Sequence, residues 1–281
     1  MTILQVVVLA LIQGLTEFLP VSSSAHLILP AQLLDWPDQG IAFDVAVHVG
    51  TLMAVIFYYF SDLLKITAAT FESCIRRKQN VQSKIGFCII IATIPTCIAG
   101  LLFEGQISTW GRSIAVIAWA TIGYGLLLGI ASYVNRHLLW HNNFKDEGKR
   151  PDSLHNLSYL QAIIIGFAQA LAIVPGTSRS GITLTAGLFL GLSPQSAARF
   201  SFLLSIPIII ASALFEGLKL YKHPELLAQA DILSMSLGVM LSFITALAVI
   251  HLFMRYIAKS GMAVFVIYRL LLGGVLLWLL N

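Results

Sequence analysis

Apolar runs long enough to cross a bilayer alternate along this chain with short polar stretches. A helix needs about 20 predominantly apolar residues to span the hydrocarbon core. Six segments reach that length: roughly 41–60, 84–103, 113–133, 196–216, 232–254 and 262–280. Two further apolar regions, about 3–34 and 157–192, are broken in the middle by polar residues. Each half of a break runs for about 10–17 residues, marginal or too short to span. Both regions therefore read as re-entrant helical hairpins. Irregular backbone at membrane depth is tolerated only where protein or a watery cavity surrounds it. The pattern predicts an all-α polytopic membrane protein, a single integral domain over 1–281.

The two breaks resemble each other. The first reads Gln13-Gly-Leu-Thr-Glu17-Phe-Leu-Pro20-Val-Ser22-Ser23-Ser24-Ala-His26, the second Gln169-Ala-Leu-Ala-Ile-Val-Pro175-Gly176-Thr177-Ser178-Arg179-Ser180-Gly-Ile-Thr183. Each starts at Gln, breaks at Pro and opens a Ser/Thr cluster. A weaker similarity follows, between the segment from Phe43 to Gly50 and that from Phe200 to Pro207. The offset is about 156 residues. The halves, about 1–135 and 157–281, are then one hairpin plus three transmembrane helices each. Three is odd, so the second half inserts upside down relative to the first. Inverted repeats with broken helices place a site near the midplane, where the halves meet.

Composition agrees with a membrane protein: 58% of residues are hydrophobic and 11% charged, against about 25% charged in a soluble domain. Charge distribution sets orientation, because cytoplasmic loops collect Lys and Arg. Lys65, Arg76, Arg77, Lys78 and Lys84 follow the first span, Arg136, Lys145, Lys149 and Arg150 the third, and Arg255 and Lys259 precede the last. The opposite side holds only Arg112, Lys219 and Lys222. The basic loops should face the cytoplasm, with Asp35, Asp38 and the C-terminus outside. These basic residues are not interleaved with exposed aromatics, so nucleic acid is not an expected partner. Cys74, Cys88 and Cys97 fit no metal or CxxC spacing. The N-terminus lacks a basic n-region and reads as part of the first hairpin, not as a cleaved signal peptide.

The polar breaks carry the candidate chemistry, since ionisable groups at membrane depth usually mark working sites. Gln13 and Glu17 share a helix face, and a carboxylate there suits a divalent cation or general-base work. Ser22, Ser23 and Ser24 precede a half-helix, where hydroxyls cap and free amides at the positive end of the dipole suit phosphate. His26 lies within reach of those serines. Around Arg179, Gly176 and Gly181 permit tight turns, Thr177, Ser178 and Ser180 supply hydroxyls, and the guanidinium matches phosphate oxygens. A helix from about Ile182 would aim its N-terminus at this loop, completing an anion cradle. Asp44, His48 and Arg199 are candidate supporting groups, equally suited to loop pairing. Arg269 reads first as a snorkelling arginine, with pairing to a buried carboxylate or contact with an anion as the alternative.

The motifs resemble those of the membrane-integral undecaprenyl-diphosphate phosphatases, the bacitracin-resistance type. Gln13-Gly-Leu-Thr-Glu17 matches the family's (E/Q)xxxE signature and Pro175-Gly-Thr-Ser-Arg-Ser-Gly-Ile-Thr183 its PGxSRSxxT signature. The resemblance covers essentially the whole chain and extends to Phe200-Ser-Phe-Leu-Leu and the final Ile-Tyr-Arg. It implies removal of the terminal phosphate of undecaprenyl diphosphate, the spent lipid carrier of cell-wall synthesis. It further implies bacitracin resistance, a divalent cation (Mg2+ or Ca2+), and a site opening to the outer side of the bacterial inner membrane. On this reading Glu17, Ser23, His26 and Arg179 are catalytic. Gln13, Ser22, Ser24, Gly176, Thr177, Ser178, Ser180 and Thr183 bind substrate, and Glu17 doubles as metal ligand. The nucleophile stays open between Ser23, His26 and water. Gln13 stands where many relatives carry Glu, which removes a second carboxylate. Membrane lipids are further partners, and a homodimer is one oligomeric option. The rival class is a polyprenyl-phosphate flippase using the same anion site, which would bind the lipid without metal-dependent hydrolysis.

Overall fold

In the computed structural model, residues 1–34, 36, 39–110, 113–140, 153–223 and 231–280 are described. The expected positions of Asp35, Asp38, Arg112, Lys145, Lys149 and Arg150 lie outside them. Among the described residues, eleven α-helices and no strand build an all-helical membrane protein. The six apolar runs become α3 (Ile41–Tyr58), α5 (Val81–Trp110), α6 (Ile114–Val134), α9 (Pro194–Lys222), α10 (Ile232–Ile257) and α11 (Ala263–Trp278). Five are long and apolar enough to cross a membrane; α11, at 16 residues, is shorter than a usual span. The basic stretch after the first span, read from sequence as a loop, is instead an amphipathic helix, α4 (Phe60–Arg76).

Each polar break separates two short helices. The first lies between α1 (Ile3–Thr16) and α2 (Ser23–Leu33), the second between α7 (Tyr159–Ala170) and α8 (Arg179–Phe189). The first helix of each pair opens on the same device. Thr2 and Gln5 form a capping box on α1, and Ser158 and Gln161 form one on α7, so both start sharply. The second helix of each pair is capped by a serine in left-handed backbone, Ser22 (φ 76°) or Ser178 (φ 68°). The cap hydroxyl accepts from Ala25 N in one case and Gly181 N in the other. Arg179 therefore opens α8, three residues earlier than the start expected near Ile182.

Packing crosses between the halves of the chain. Helix α10 packs along both α1 and α3, and α5 packs along α7 and α9. Small residues let these backbones close, as is usual for helices in lipid. A Cβ on Gly50 would lie 2.4 Å from the Val239 carbonyl oxygen of α10. One on Gly166 would lie 2.5 Å from the Ala92 carbonyl oxygen of α5. Helix α11 packs on α6, and α8 lies between α6, α7 and α9. Polar ends are satisfied locally: Asp231 caps α10, and hydrogen bonds from Ser234 hold its carboxyl below the usual carboxylate range. Large apolar side chains such as Leu102, Phe167, Leu252 and Leu271 face outward, the surface a bilayer requires.

Candidate active site

The two breaks meet. Their contact is centred on Glu17, which closes α1 and is buried. Both carboxylate oxygens are engaged. Arg179, the first residue of α8, donates to Oε1 in a close ion pair. Gln13 Nε2 donates to Oε2 at 2.9 Å, one helical turn back, and Ser23 Oγ donates to the same oxygen at 3.1 Å. His48 Nε2 of α3 stands 3.7 Å from Oε2. Further bonds lock the breaks together: Ser180 Oγ donates to the Leu19 carbonyl at 2.8 Å, and Gly176 N to Ser24 Oγ at 3.4 Å. Gly176 has φ +90°, and a Cβ there would meet the Ile117 carbonyl at 2.4 Å, so only glycine fits this crossing.

A cavity of about 690 Å³ opens on this cluster, within the usual range for ligand sites. Its polar end is formed by Glu17, Ser22, Ser23, Ser24, Ser178 and Arg179, with Asp44 and His48 at its side. Its remaining wall is mostly apolar, including Leu101 of α5 and Ile208 and Phe215 of α9. The first amides of α2 and α8 have no partner inside their helices, and the dipole favours an anion at both N-termini. Arg179 Nη1 is buried without a hydrogen-bond partner. An anion at the cavity's polar end would supply what that donor lacks.

Other site candidates stand behind this surface. Thr177 is buried, its hydroxyl donating to the Leu171 carbonyl. Thr183 bonds the Arg179 carbonyl and the Ser201 hydroxyl, at 2.9 and 2.6 Å. Ser180 pairs with Ser178 and Leu19, and Gln13 lies entirely inside. They shape the cradle from behind, and none of them lines the cavity.

His26 is also absent from the cavity wall. Its Nδ1 lies 2.6 Å from the Ser22 carbonyl and its Nε2 2.6 Å from the Tyr268 hydroxyl, and its ring stacks on Tyr268. A carbonyl only accepts, so Nδ1 carries the proton and a neutral ring accepts from Tyr268 at Nε2. With both nitrogens so engaged, His26 reaches neither a serine hydroxyl nor Glu17 here. The role expected of it, activating a serine or water or attacking phosphorus, has no supporting contact in this geometry. Tyr268 was not anticipated; a tyrosine and an arginine side by side in the last apolar run were the available signal.

Arg199 pairs with Asp62 of α4 at 2.8 Å, away from the cavity. Asp44 accepts from Gln39 at 2.9 Å. Arg269 does not snorkel and is buried; its acceptors are backbone carbonyls, in place of the expected carboxylate or anion.

The residues at the junction do not build a resident metal cage. Among the described residues no three His, Cys, Asp or Glu side chains converge on one point. Glu17 is already held by Arg179, Gln13 and Ser23.

An all-helical membrane protein with a buried arginine–carboxylate pair at the polar end of an apolar-walled cavity is the class that fold and site define. Residues 6–275 match the family of the bacitracin resistance protein BacA. The chain is 51% identical over its whole length to undecaprenyl-diphosphatase 2 of Stutzerimonas stutzeri, covering 99% of that protein. It is 50% identical to undecaprenyl-diphosphatase 1 of Pseudoalteromonas translucida, over 97% of each chain. It is 49% identical to the undecaprenyl-diphosphatase of Hahella chejuensis, over 99% of each. The chain belongs to the BacA family.

Proposed function

We propose that this protein hydrolyses undecaprenyl diphosphate to undecaprenyl phosphate and phosphate, recycling the lipid carrier of cell-wall synthesis and conferring bacitracin resistance. The relatives' names agree with this reading. The observation that carries it is one buried carboxylate shared by Ser23 and Arg179 at the polar end of an apolar cavity.

The chemistry follows from that sharing. A terminal phosphate entering the cavity competes with Glu17 for Arg179, whose planar fork suits phosphate oxygens. Glu17 thereby loses its counter-charge and becomes the stronger base. It takes the Ser23 proton as Ser23 Oγ attacks phosphorus, and undecaprenyl phosphate departs. Glu17 passes that proton to the departing undecaprenyl phosphate. Water then attacks the phosphoserine, and Glu17 takes a water proton and hands it to Ser23 Oγ as the phosphoserine P–O bond breaks, restoring Ser23 and releasing phosphate. Arg179 and the two helix N-termini offset charge on the transferring group. Direct attack by water, with Glu17 as its base, is the alternative route at the same residues. Magnesium or calcium is read as part of the substrate, carried on the diphosphate oxygens, because ions of this kind commonly bind through substrate phosphates.

The finer architecture belongs to the same proposal. The two capping boxes, two left-handed serines and two serine pairs recur about 156 residues apart. The pairing of α1 with α10 and of α7 with α5 has the same symmetry. These features support inverted repeats whose breaks are re-entrant hairpin tips. The cavity is lined by the start of α3 and by the later parts of α5 and α9. The alternation of basic loops assigns those ends to the outer side, so the site opens outward from the inner membrane. The undecaprenyl tail runs along the apolar wall between α5 and α9. The duplicated tips also favour a second reading, a lipid carrier that moves polyprenyl phosphate across the membrane.

Purified protein in detergent should release phosphate from a polyprenyl diphosphate when magnesium is added. Arg179→Ala should lose nearly all turnover while staying folded. Near-normal turnover in that variant overturns the site. A wild type that moves polyprenyl phosphate in vesicles but releases no phosphate favours the carrier.

A further inference from the structure

Arg269 of α11 is 1% exposed and does not line the cavity. Among the described residues it makes no ion pair; every acceptor is a main-chain carbonyl. Nε donates to Thr121 O at 3.0 Å, Nη1 to Pro20 O at 3.3 Å, and Nη2 to Gly176 O at 2.9 Å and to Ala120 O at 3.5 Å. Burying a guanidinium this deeply is costly unless its donors are met. Here they are met by carbonyls of α6 and of both breaks.

The two break carbonyls occupy equivalent places. Pro20 lies two residues before Ser22 and Gly176 two residues before Ser178, the left-handed caps at which each chain turns into its second half-helix. Helices α1 and α7 have ended by then, so these carbonyls lack the partners that a continuing helix would supply. One rigid planar group donates to both carbonyls and joins them, sharing that of Gly176 with the Thr121 hydroxyl, which donates to it at 3.3 Å. The same guanidinium abuts α8, since a Cβ on Gly181 would stand 3.1 Å from Nη1. Room for the side chain comes from α6, where a Cβ on Gly125 would lie 3.0 Å from Arg269 Cβ and 3.3 Å from Nε.

We propose that Arg269 is a positioning residue, a buried staple that sets the separation of the two breaks. Glu17 and Ser23 ride on one break and Arg179 on the other. The staple therefore governs whether nucleophile and phosphate clamp are in register without touching either. Lysine keeps the charge but has no planar fork and cannot hold two carbonyls in fixed relation. The proposal rests on the phosphatase reading for its catalytic consequence and on the geometry alone for its structural one.

The test uses full-length protein in detergent with two variants, Arg269→Lys and Gly125→Ala. Gly125→Ala retains the guanidinium and displaces it by a few tenths of an ångström. Amide hydrogen exchange is followed without substrate, and kcat and KM are measured on a polyprenyl diphosphate with magnesium. Arg269→Lys should speed exchange over 18–24 and 174–181 together, leaving α3 and α10 unchanged. Its kcat should fall about 100-fold, as expected for reacting groups misplaced by about 1 Å, with KM within about threefold. Gly125→Ala should show the same joint release with a smaller fall in kcat. The staple is overturned if only one break is released, or if folded Arg269→Lys keeps wild-type kcat. Should the lysine variant fail to fold, unchanged exchange and kcat in Gly125→Ala overturn it equally. A wild type that releases no phosphate sinks the phosphatase reading instead, and the exchange data then judge the staple alone.

Discussion

Glu17 illustrates how one residue takes its meaning from its neighbours. As a lone carboxylate in an apolar helix it suggested metal binding or base chemistry. Placed between Arg179, Gln13 and Ser23, it is a buried carboxylate whose charge is offset by the guanidinium, and under the proposed function it is the base that a phosphate releases. His26 moves the other way. Its spacing from the serines invited a catalytic role, yet its nitrogens meet the Ser22 carbonyl and the Tyr268 hydroxyl. It therefore braces the left-handed turn at Ser22 from behind. Tyr268→Phe tests this at the residue scale. Removing the hydroxyl strands a largely buried imidazole nitrogen, a loss of about 1–3 kcal/mol. Thermal unfolding in detergent should show that destabilisation, and turnover should fall far less than in Arg179→Ala. Unchanged stability would contradict the brace.

At the scale of elements, the apolar runs located the helices closely because length in lipid is set by bilayer thickness. Runs 41–60 and 232–254 correspond to α3 and α10 nearly to the residue. Helix α4 escaped that reading because its polar face interrupts the run, and α11 is shorter than the apolar stretch containing it. Which helices touch was not readable from apolar length, because lipid and protein neighbours ask for similar side chains. Small residues decide it instead. Gly166 lies directly against Ala92 of α5, whereas Gly123 on α6 has nothing within 4 Å of a built Cβ. Gly166→Leu should lower stability by about 1–3 kcal/mol or more, and Gly123→Leu should leave it nearly unchanged. Paired thermal melts of the two variants in detergent check the contrast.

At the scale of the whole molecule, the site exists only because two distant segments cross. Neither break holds a complete site, since the carboxylate and serines belong to one and the arginine to the other. That division carries a prediction about metal. With Glu17 committed to protein donors, the substrate-free protein should take up no magnesium in titration calorimetry. Uptake should appear only when a diphosphate lipid analogue is present, and EDTA should abolish turnover without unfolding the protein. Stoichiometric magnesium binding without the analogue would show that a resident site exists after all.

The sequence by itself determined the membrane class, the positions of the spans and the two polar breaks, because each follows from local hydropathy and backbone chemistry. It also determined the family, through two long motifs that need no coordinates to read. Tertiary structure decided which motif residues face the cavity, and why Thr177, Thr183 and His26 stand behind it. It also turned Arg269 from a presumed snorkelling side chain into a buried link between the breaks. The physical reason is that hydrogen-bond partners far apart in sequence, such as Glu17 with Arg179 or Arg269 with Pro20 and Gly176, leave no periodic trace along the chain. Their pairing is fixed only when helices from both halves pack and leave particular carbonyls and carboxylates in need of donors.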